Sequence, residues 1–390
     1  MSTRRGFPSG EVAIVGAYES PRRRAPGLHP FALHAECVLG ALADAGLEAG
    51  DIDGLCTVAS MPPEGGSELD LGEVAEYLGL RPRWFDATDT GGAAFLSHAG
   101  HAALAIAAGL AEVVVVTYAS CLRSSPLHGP DRLTNAWGPG QWELPYGAST
   151  IAAHALAAQR HMHEFGTTPE QLAQIAVQCR AHAAANPDAM YRDPLTVEQA
   201  LAAPELASPL RRYDCCVVSD SGGAFVLTSR ARAERLARKP VWLLGFGEAL
   251  GQMQMNQMPS FTQTAATRSG ADALASAGLT HAEIDCAQLY DSFTITVLLT
   301  LESLGFCGPG EGGAFVADGN LAPGGALPIN TDGGGLSSNH PGRRGALAVI
   351  EGVRQLRGES PGAQLPDART CLVNGTGGWL SATATLVLGT

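Results

Sequence analysis

The chain has 390 residues, 45% of them apolar and 16% charged, with a formal charge of −13 at neutral pH. An acidic average surface argues against a nucleic-acid or anionic-membrane binder, and no apolar run reaches the roughly 18 residues that a membrane helix needs. Nine cysteines without a C-x-x-C pair predict free thiols and no zinc site, and an opening that runs into a strand without a cleavage-like segment predicts a cytoplasmic protein.

Residues 11–18 form an apolar, β-branched run bounded by glycine and charge, the pattern of a buried strand. Helical spacing over 31–45 stops at Gly46, a natural C-terminal cap. Arg22, Arg23 and Arg24 make a basic cluster between them, either a solvated turn or a phosphate contact. A strand at 54–59, a helix at 94–108 and a strand at 113–118 follow. Residues 120–212, rich in Pro, Trp and His, carry helices at 149–165 and 169–186 and read as an insertion, either a cap or the wall of a cleft or dimer surface. The segment SDSGGAFVLTS at 219–229 returns the chain to a strand.

A second series repeats the plan. It has a strand at 241–247, a helix at 262–277, a strand at 287–290, helices at 292–304 and 343–356, and strands at 370–373 and 381–388. The phrase AGLEAGDID at 45–53 returns as AGLTHAEID at 277–285, an offset of 232 residues. Such an echo in matching order implies two copies of one unit. The halves are 1–239, including the insertion, and 240–390. Alternating strands and helices make this a layered α/β architecture.

Residues 330–345, NTDGGGLSSNHPGRRG, pack a glycine triplet and His340 into one turn ahead of a helix. Backbone N–H groups in such a turn can hold an anion or a polarised carbonyl oxygen, and imidazole titrates near neutrality. A purely structural turn with His340 hydrogen-bonded into it is the plain alternative. His98 and His101 stand at i, i+3, a metal-compatible spacing, but no third ligand is evident and packing is the favoured reading. Cys215 and Cys216 read as core packing. Met253, Met255 and Met258 read as pliable filler that could line an apolar channel.

The turn SSNHPGRRG, the segment SDSGGAFVL, the strand end LYDSF at 289–293 and the closing NGTGGWLSATATLVLG resemble the thiolase superfamily. They are most similar to sterol-carrier-type thiolases and bacterial thiolase-like lipid-transfer proteins, and the likeness covers nearly the whole chain. It implies two fused βαβαβαββ halves in a five-layer αβαβα sandwich, a homodimer, and acyl-CoA substrates. A thiolase needs a cysteine nucleophile, because an acyl-enzyme splits one hard step into two easier ones. On the motif GGAAFLSHAGHAALAI, Gly92 occupies that position, and Asn374 falls at the second thiolase cysteine, so both sulfur positions are vacant.

The resemblance therefore points to cysteine-free aldolases of bacterial sterol side-chain degradation, which split a β-hydroxyacyl-CoA into a ketone and a shorter acyl-CoA. It assigns the substrate-hydroxyl proton to Tyr290, puts His340 where the family carries a second tyrosine, and makes Asp291 an orienting carboxylate or helix cap more than a proton carrier. For Tyr290, capping a core strand is the structural alternative. The expected substrate-binding positions are Gly92, Gly334, Gly335, Asn374 and Gly377. N–H groups around 333–335 and 376–378 would receive the developing enolate charge, and Asn330 and Asn374 would pin these loops, with Asn374 a further donor to the thioester oxygen. Retro-aldol chemistry needs no metal and no Schiff-base lysine, which suits a chain whose one lysine, Lys239, sits in a connection. Coenzyme A is expected only as part of the substrate, and a small zinc-ribbon/OB-fold protein as partner. The rival expectations are an acyltransferase or Claisen enzyme with a displaced nucleophile, and a non-catalytic acyl-CoA-binding subunit of a heteromeric thiolase.

Overall fold

The computed structural model describes residues 6–58, 70–125, 138–147 and 149–390. The first half runs β1 (Val12–Glu19), α1 (Pro30–Ala45), β2 (Gly54–Cys56), α2 (Asp70–Tyr77), β3 (Trp84–Asp86), α3 (Ala94–Ala107) and β4 (Val113–Ser120). The insertion follows, with α4 (Thr150–Phe165), α5 (Pro169–Ala183), α6 (Val197–Leu201) and a small hairpin of β5 (Glu205–Ala207) and β6 (Leu210–Arg211). The half closes with β7 (Ser221–Ser229) and α7 (Arg230–Ala233). The second half runs β8 (Val241–Leu250), α8 (Ala266–Ala277), β9 (Cys286–Leu289), α9 (Thr294–Leu304), α10 (Gly312–Ala317), α11 (Gly334–Ser337), α12 (Gly345–Arg357), β10 (Thr370–Gly377) and β11 (Ala382–Gly389).

Nine of these strands pair in the order β3-β2-β4-β7-β1-β8-β11-β10-β9, and the halves meet where β1 runs antiparallel to β8. Helices α3 and α12 touch each other, and each packs on strands of both halves, from β4 to β10. In a flat sheet those two strands would stand about 24 Å apart at ~4.8 Å per strand, too far for one helix to bridge. The sheet therefore folds over at the β1–β8 junction and encloses α3 and α12, while α1 and α8 cover its outer faces. The result is the five-layer αβαβα sandwich. Side-chain alternation along the strands divides the core accordingly: Ile14, Val116 and Phe225 face the central helices, and Val15, Val115 and Val226 face α1. Both faces are buried, so the strands read as continuous apolar runs.

The duplication is visible in the packing. Gly46 and Gly278 both end a helix in the left-handed region and lead through a short 3-10 turn into β2 and β9. A side chain at Gly16 would run into Ala41 O and Ala45 of α1, and one at Gly245 would run into Ala273 O and Ala277 of α8. The second half departs from the first at its edge, where a single parallel bridge between Ala287 and Ile329 stands in place of β3. Three helices begin two or more residues later than their periodicity predicts: α8 at Ala266, α9 at Thr294 and α12 at Gly345. The expected strand at 54–59 ends at Cys56, and its last position lies outside the described residues.

The insertion clamps the glycine-rich turn from outside. Arg180 Nε of α5 donates to Ser337 Oγ at 2.9 Å, Asn186 Nδ2 donates to Asp332 O at 3.0 Å, and His182 Nδ1 donates to Asn330 O at 3.3 Å. At the first half, Arg22 and Arg23 of the basic cluster pair with Glu36 and Glu19, which offsets two of its three charges. No described helix is long and apolar enough to cross a membrane, and all nine cysteines are free.

Candidate active site

Tyr290 stands one residue beyond β9, where its N–H donates to Asn374 O at 3.0 Å and so extends the pairing with β10. The preceding Leu289 N donates to Asn330 Oδ1 at 2.7 Å, which ties the strand end to the start of the glycine-rich turn. Asn330 has φ +48°, a conformation that asparagine tolerates better than most residues. The turn then brings His340 back to the strand end. His340 Nε2 lies 3.1 Å from Tyr290 Oη, with the two rings edge to face. Arg344 N donates to the same Oη at 3.3 Å.

Three further contacts fix the imidazole. His340 N donates to Ser219 Oγ at 3.0 Å, Ser219 N donates to His340 O, and Tyr118 Oη donates to Pro341 O at 2.7 Å. Tyr290 and His340 are both buried. Burial, reinforced by the Arg344 charge, lowers the His340 pKa to about 4, so its ring is neutral at pH 7. Burial, reinforced by Cys216, raises that of Tyr290 above the ordinary phenol value. The resting pair is therefore a phenol that donates to a neutral imidazole and accepts one backbone N–H.

Gly92 lies against this pair. A Cβ there would overlap Cε2 and Cζ of Tyr290 and Thr376 O, so the tyrosine ring fills the space that a side chain at this position would take. A Cβ at Gly345 would strike Gly92 O and one at Gly377 would strike Thr90 O, so three chain segments meet here through glycine. Cys56 and Cys121, the thiols nearest in sequence, are buried in the core. Cys216 is close enough to Tyr290 to act on it electrostatically, but burial pushes its own thiol well above the ordinary range. It is a protonated thiol at neutral pH.

The oxyanion site expected at the glycine triplet and the loop-side role expected of Asn374 need correction, whereas Asp291 sits as an orienting carboxylate and helix cap. Asp291 faces away from the tyrosine: its oxygens accept Gly335 N at 2.8 Å and Leu336 N at 3.2 Å, and Arg344 Nε lies 3.6 Å away. It caps α11 and holds the turn. Gly334 N donates to Asp332 Oδ1 at 2.9 Å and Gly333 N to Asn330 O, so with Gly335 N taken by Asp291 the triplet offers no free N–H for an oxyanion. Asn374 points to the outer face of the sheet, where Nδ2 donates to Thr385 Oγ1 at 2.9 Å; Thr385 in turn meets Ser269 of α8. An alternating strand sends Asn374 and its neighbour Gly375 to opposite faces, and it is Gly375 that meets Gly92 and Leu96. Asn330 does pin its loop. His98 Nε2 bonds Thr88 O, whereas His101 sits between Asp86 at 2.6 Å and Glu248 at 3.1 Å, which raise its pKa to about 9. These two histidines do not converge on one ligand.

The residues that sequence reasoning missed are Ser219, Tyr118 and Arg344. The last is buried and clasps Asp332 with Nη2 at 2.6 and 2.7 Å. Its signal was present as the arginine pair that follows His340-Pro341-Gly342. Met255 and Met258 line a separate cavity of about 320 Å³, which neither Tyr290 nor His340 borders.

Residues 247–390 match the family model described as "Thiolase C-terminal domain-like". The "17-hydroxy-3-oxo-4-pregnene-20-carboxyl-CoA lyase" of Mycobacterium tuberculosis is 38% identical over 98% of this chain and 100% of its own length. The "Steroid side-chain-cleaving aldolase" of Thermomonospora curvata is 37% identical over 97% and 98%. An "Acetyl-CoA acetyltransferase" of Methanothermobacter thermautotrophicus is 32% identical over 94% and 97%. A solved structure described as "Ltp2-ChsH2(DUF35) aldolase" superposes with a TM-score of 0.88 at 35% identity, covering 99% of both chains. With a glycine and a tyrosine ring where the attacking thiol would stand, and with full-length similarity to two carbon–carbon lyases, the chain belongs to the thiolase superfamily, in the branch of the steroid side-chain-cleaving aldolases.

Proposed function

We propose that this carbon–carbon lyase cleaves a bulky β-hydroxyacyl-CoA to a ketone and a shorter acyl-CoA, with Tyr290 and His340 as the proton relay. The contact between Tyr290 Oη and His340 Nε2 beside Gly92 is the observation that carries this reading. The substrate β-hydroxyl gives its proton to Tyr290 Oη while the phenol proton passes to His340 Nε2. The Cα–Cβ bond then breaks, its electron pair enters the thioester enolate, and the carbinol carbon leaves as a ketone. Returning the proton along the relay to Cα yields the shorter acyl-CoA and restores the resting pair. A phenol with a raised pKa and an imidazole with a lowered one disfavour a full phenolate–imidazolium pair, so the two transfers are concerted.

Charge developing on the thioester oxygen needs donors. With the 333–335 N–H groups occupied, the 3-10 turn Gly91–Ala93 and the loop at 376–378 are the remaining backbone beside Gly92. The N–H of Gly92 opens a helical turn and has no carbonyl partner within it.

The substrate class follows from the relatives that act on steroid acyl-CoA, and the partner from the neighbour that assembles with a DUF35 protein. We assign this chain a homodimeric assembly, a small zinc-ribbon/OB-fold partner and no cofactor beyond the substrate's own coenzyme A. Nine free thiols suit the reducing cytoplasm. The test is ketone release from a β-hydroxyacyl-CoA with the partner supplied. Tyr290→Phe and His340→Gln should each lower kcat about 10²- to 10⁴-fold, as for loss of a general acid–base group. Unchanged release in both variants would reject the relay. The acetyltransferase relative keeps acyl transfer as a second reading; a covalent acyl adduct seen by mass spectrometry during turnover would favour it.

A further inference from the structure

We infer that Arg343 is a further catalytic residue: its unpaired Nη1–H group receives the charge that develops on the thioester oxygen as the Cα–Cβ bond breaks. This deepens the proposed reaction and rests on it. Cleavage moves the bonding pair into the bond between Cα and the thioester carbon and the carbonyl π pair onto oxygen. The enolate oxygen therefore becomes anionic without gaining a proton. Such charge needs donors already aimed at it, and the N–H groups of the glycine triplet are taken.

The chain places Arg343 on both sides of Gly92. On the relay side, the N–H of the next residue, Arg344, donates to Tyr290 Oη at 3.3 Å. On the turn side, Arg343 Nη2 donates to Asp89 Oδ2 at 2.9 Å, and Asp89 Oδ1 accepts the N–H of Gly91 at 3.0 Å. One carboxylate thus orients both the guanidinium and the 3-10 turn Gly91–Ala93. The arginine's backbone adjoins the tyrosine hydroxyl and its head group adjoins the turn, so the side chain spans the gap in which Gly92 meets the tyrosine ring.

A structural tether is the plain alternative, and two observations speak against it. The Arg343 side chain is 11% exposed, yet its Nη1 is buried with no hydrogen-bond partner among the described residues. A buried charged donor left unpaired is costly, and an anionic acceptor on a bound substrate removes that cost. The second observation is that two neighbours share the condition: Thr90 Oγ1 and Trp379 Nε1 are also buried without a partner. Thr90 precedes Gly91, and Trp379 follows Gly378, whose N lies 3.2 Å from where a Cβ on Gly91 would stand. Three groups able to donate thus belong to residues around one turn. The guanidinium also acts on the relay: burial raises the phenols of Tyr290 and Tyr118, and the Arg343 charge opposes that rise at both.

The experiment follows deuterium entering Cα of acetyl-CoA and propionyl-CoA by NMR in deuterium oxide, alongside ketone release. Exchange needs a base and a stabilised enolate but no carbon–carbon cleavage. Arg343→Met and Arg343→Gln should each slow exchange about 10²- to 10³-fold, the cost of losing one oxyanion donor. Both should lower kcat and kcat/KM for ketone release equally, the mark of a contact made only in the transition state. Asp89→Asn removes the ion pair and keeps the guanidinium: a tether predicts the same loss in all three variants, the enolate role a smaller loss in this one. Wild-type exchange in both Arg343 variants, an equal loss in Asp89→Asn, or no exchange by the wild type would overturn the inference. A loss confined to KM would put the guanidinium on the coenzyme A phosphates and overturn it too. Arg343-dependent exchange without ketone release would keep the enolate site and reject the lyase reading. Ketone release that both Arg343 variants retain would do the reverse.

Discussion

Gly92→Ala tests whether the tyrosine truly occupies the nucleophile's space. The added methyl overlaps two ring carbons of Tyr290 and a backbone oxygen, Thr376 O, and the ring is held by Oη contacts to His340 and Arg344. None of these neighbours is the free end of a flexible chain. The cost should therefore sit at the upper end of the overpacking range, ~3 kcal/mol. Unfolding entropy of about 2.1 cal/mol/K per residue gives ~0.8 kcal/mol/K for a chain of this length, so Tm should fall by roughly 4 °C. Relief by pushing Tyr290 Oη about 1 Å off its line to His340 should lower kcat on the order of 10²-fold. The assay is a thermal melt paired with ketone release. Tyr290→Leu removes the clashing ring carbons, so combining it with Gly92→Ala should recover ~1–3 kcal/mol of coupling relative to the sum of the single changes. Gly92→Cys alone should form no acyl adduct, because the thiol has no room to point at a thioester. A Gly92→Ala enzyme with wild-type Tm and wild-type kcat would refute the steric argument.

The remaining predictions concern pH and packing. His340 carries a pKa of about 4 in the fold against ~6.5 when unfolded. Between those values the unfolded chain binds a proton that the fold does not, so the contribution is intact above pH 6.5 and declines as pH falls toward 4, with a slope of up to ~1.4 kcal/mol per unit. The kcat/KM profile should accordingly run flat from about pH 8 to about pH 5 on the lowered His340 value; an inflection near pH 6.5 that vanishes in His340→Gln would contradict the neutral resting imidazole. Asp291→Asn leaves Arg344 short of one buried countercharge and weakens the cap on α11, which should cost ~3–5 kcal/mol in urea unfolding. A near-neutral result would mean that Asp332 alone satisfies the guanidinium. Gly16→Ala and Gly245→Ala each drive a methyl into a helix carbonyl at equivalent places in the two halves, so both should destabilise by ~2–3 kcal/mol. A melt showing one of them tolerated would break the equivalence of the halves.

How much of this was legible in the chain varies by element. Helices α1 and α5 declare their ends locally, through Pro30 and Gly46 in one and the Thr168–Gln171 capping box in the other, and their predicted boundaries agree to within a residue or three. The echo around Gly46 and Gly278 announced the duplication. Strand β3 was invisible, because three residues with mixed exposure carry no usable period, and the single Ala287–Ile329 bridge has no signature at all. At the site, Tyr290 and His340 stand 50 residues apart, and only the family resemblance named them together. Asn374 was misread because β10 is buried on both sides, so nothing in its apolar run marks which alternate residues face the central helices.

What the sequence by itself determined is therefore short-range and subtractive: capped helices, apolar strands, a repeated unit, and the lack of sulfur at position 92. These follow from residue type and spacings of a few positions. The tertiary structure decided that a phenol ring fills the vacated space, that the glycine triplet's N–H groups are already taken, and that an unpaired indole N–H borders a cavity. Each of these depends on strand register and on which way a buried side chain points, and both are set by partners more than a hundred positions away in some cases, as with Ser219 and His340. Local preference specifies the elements; only their mutual packing specifies which atoms meet.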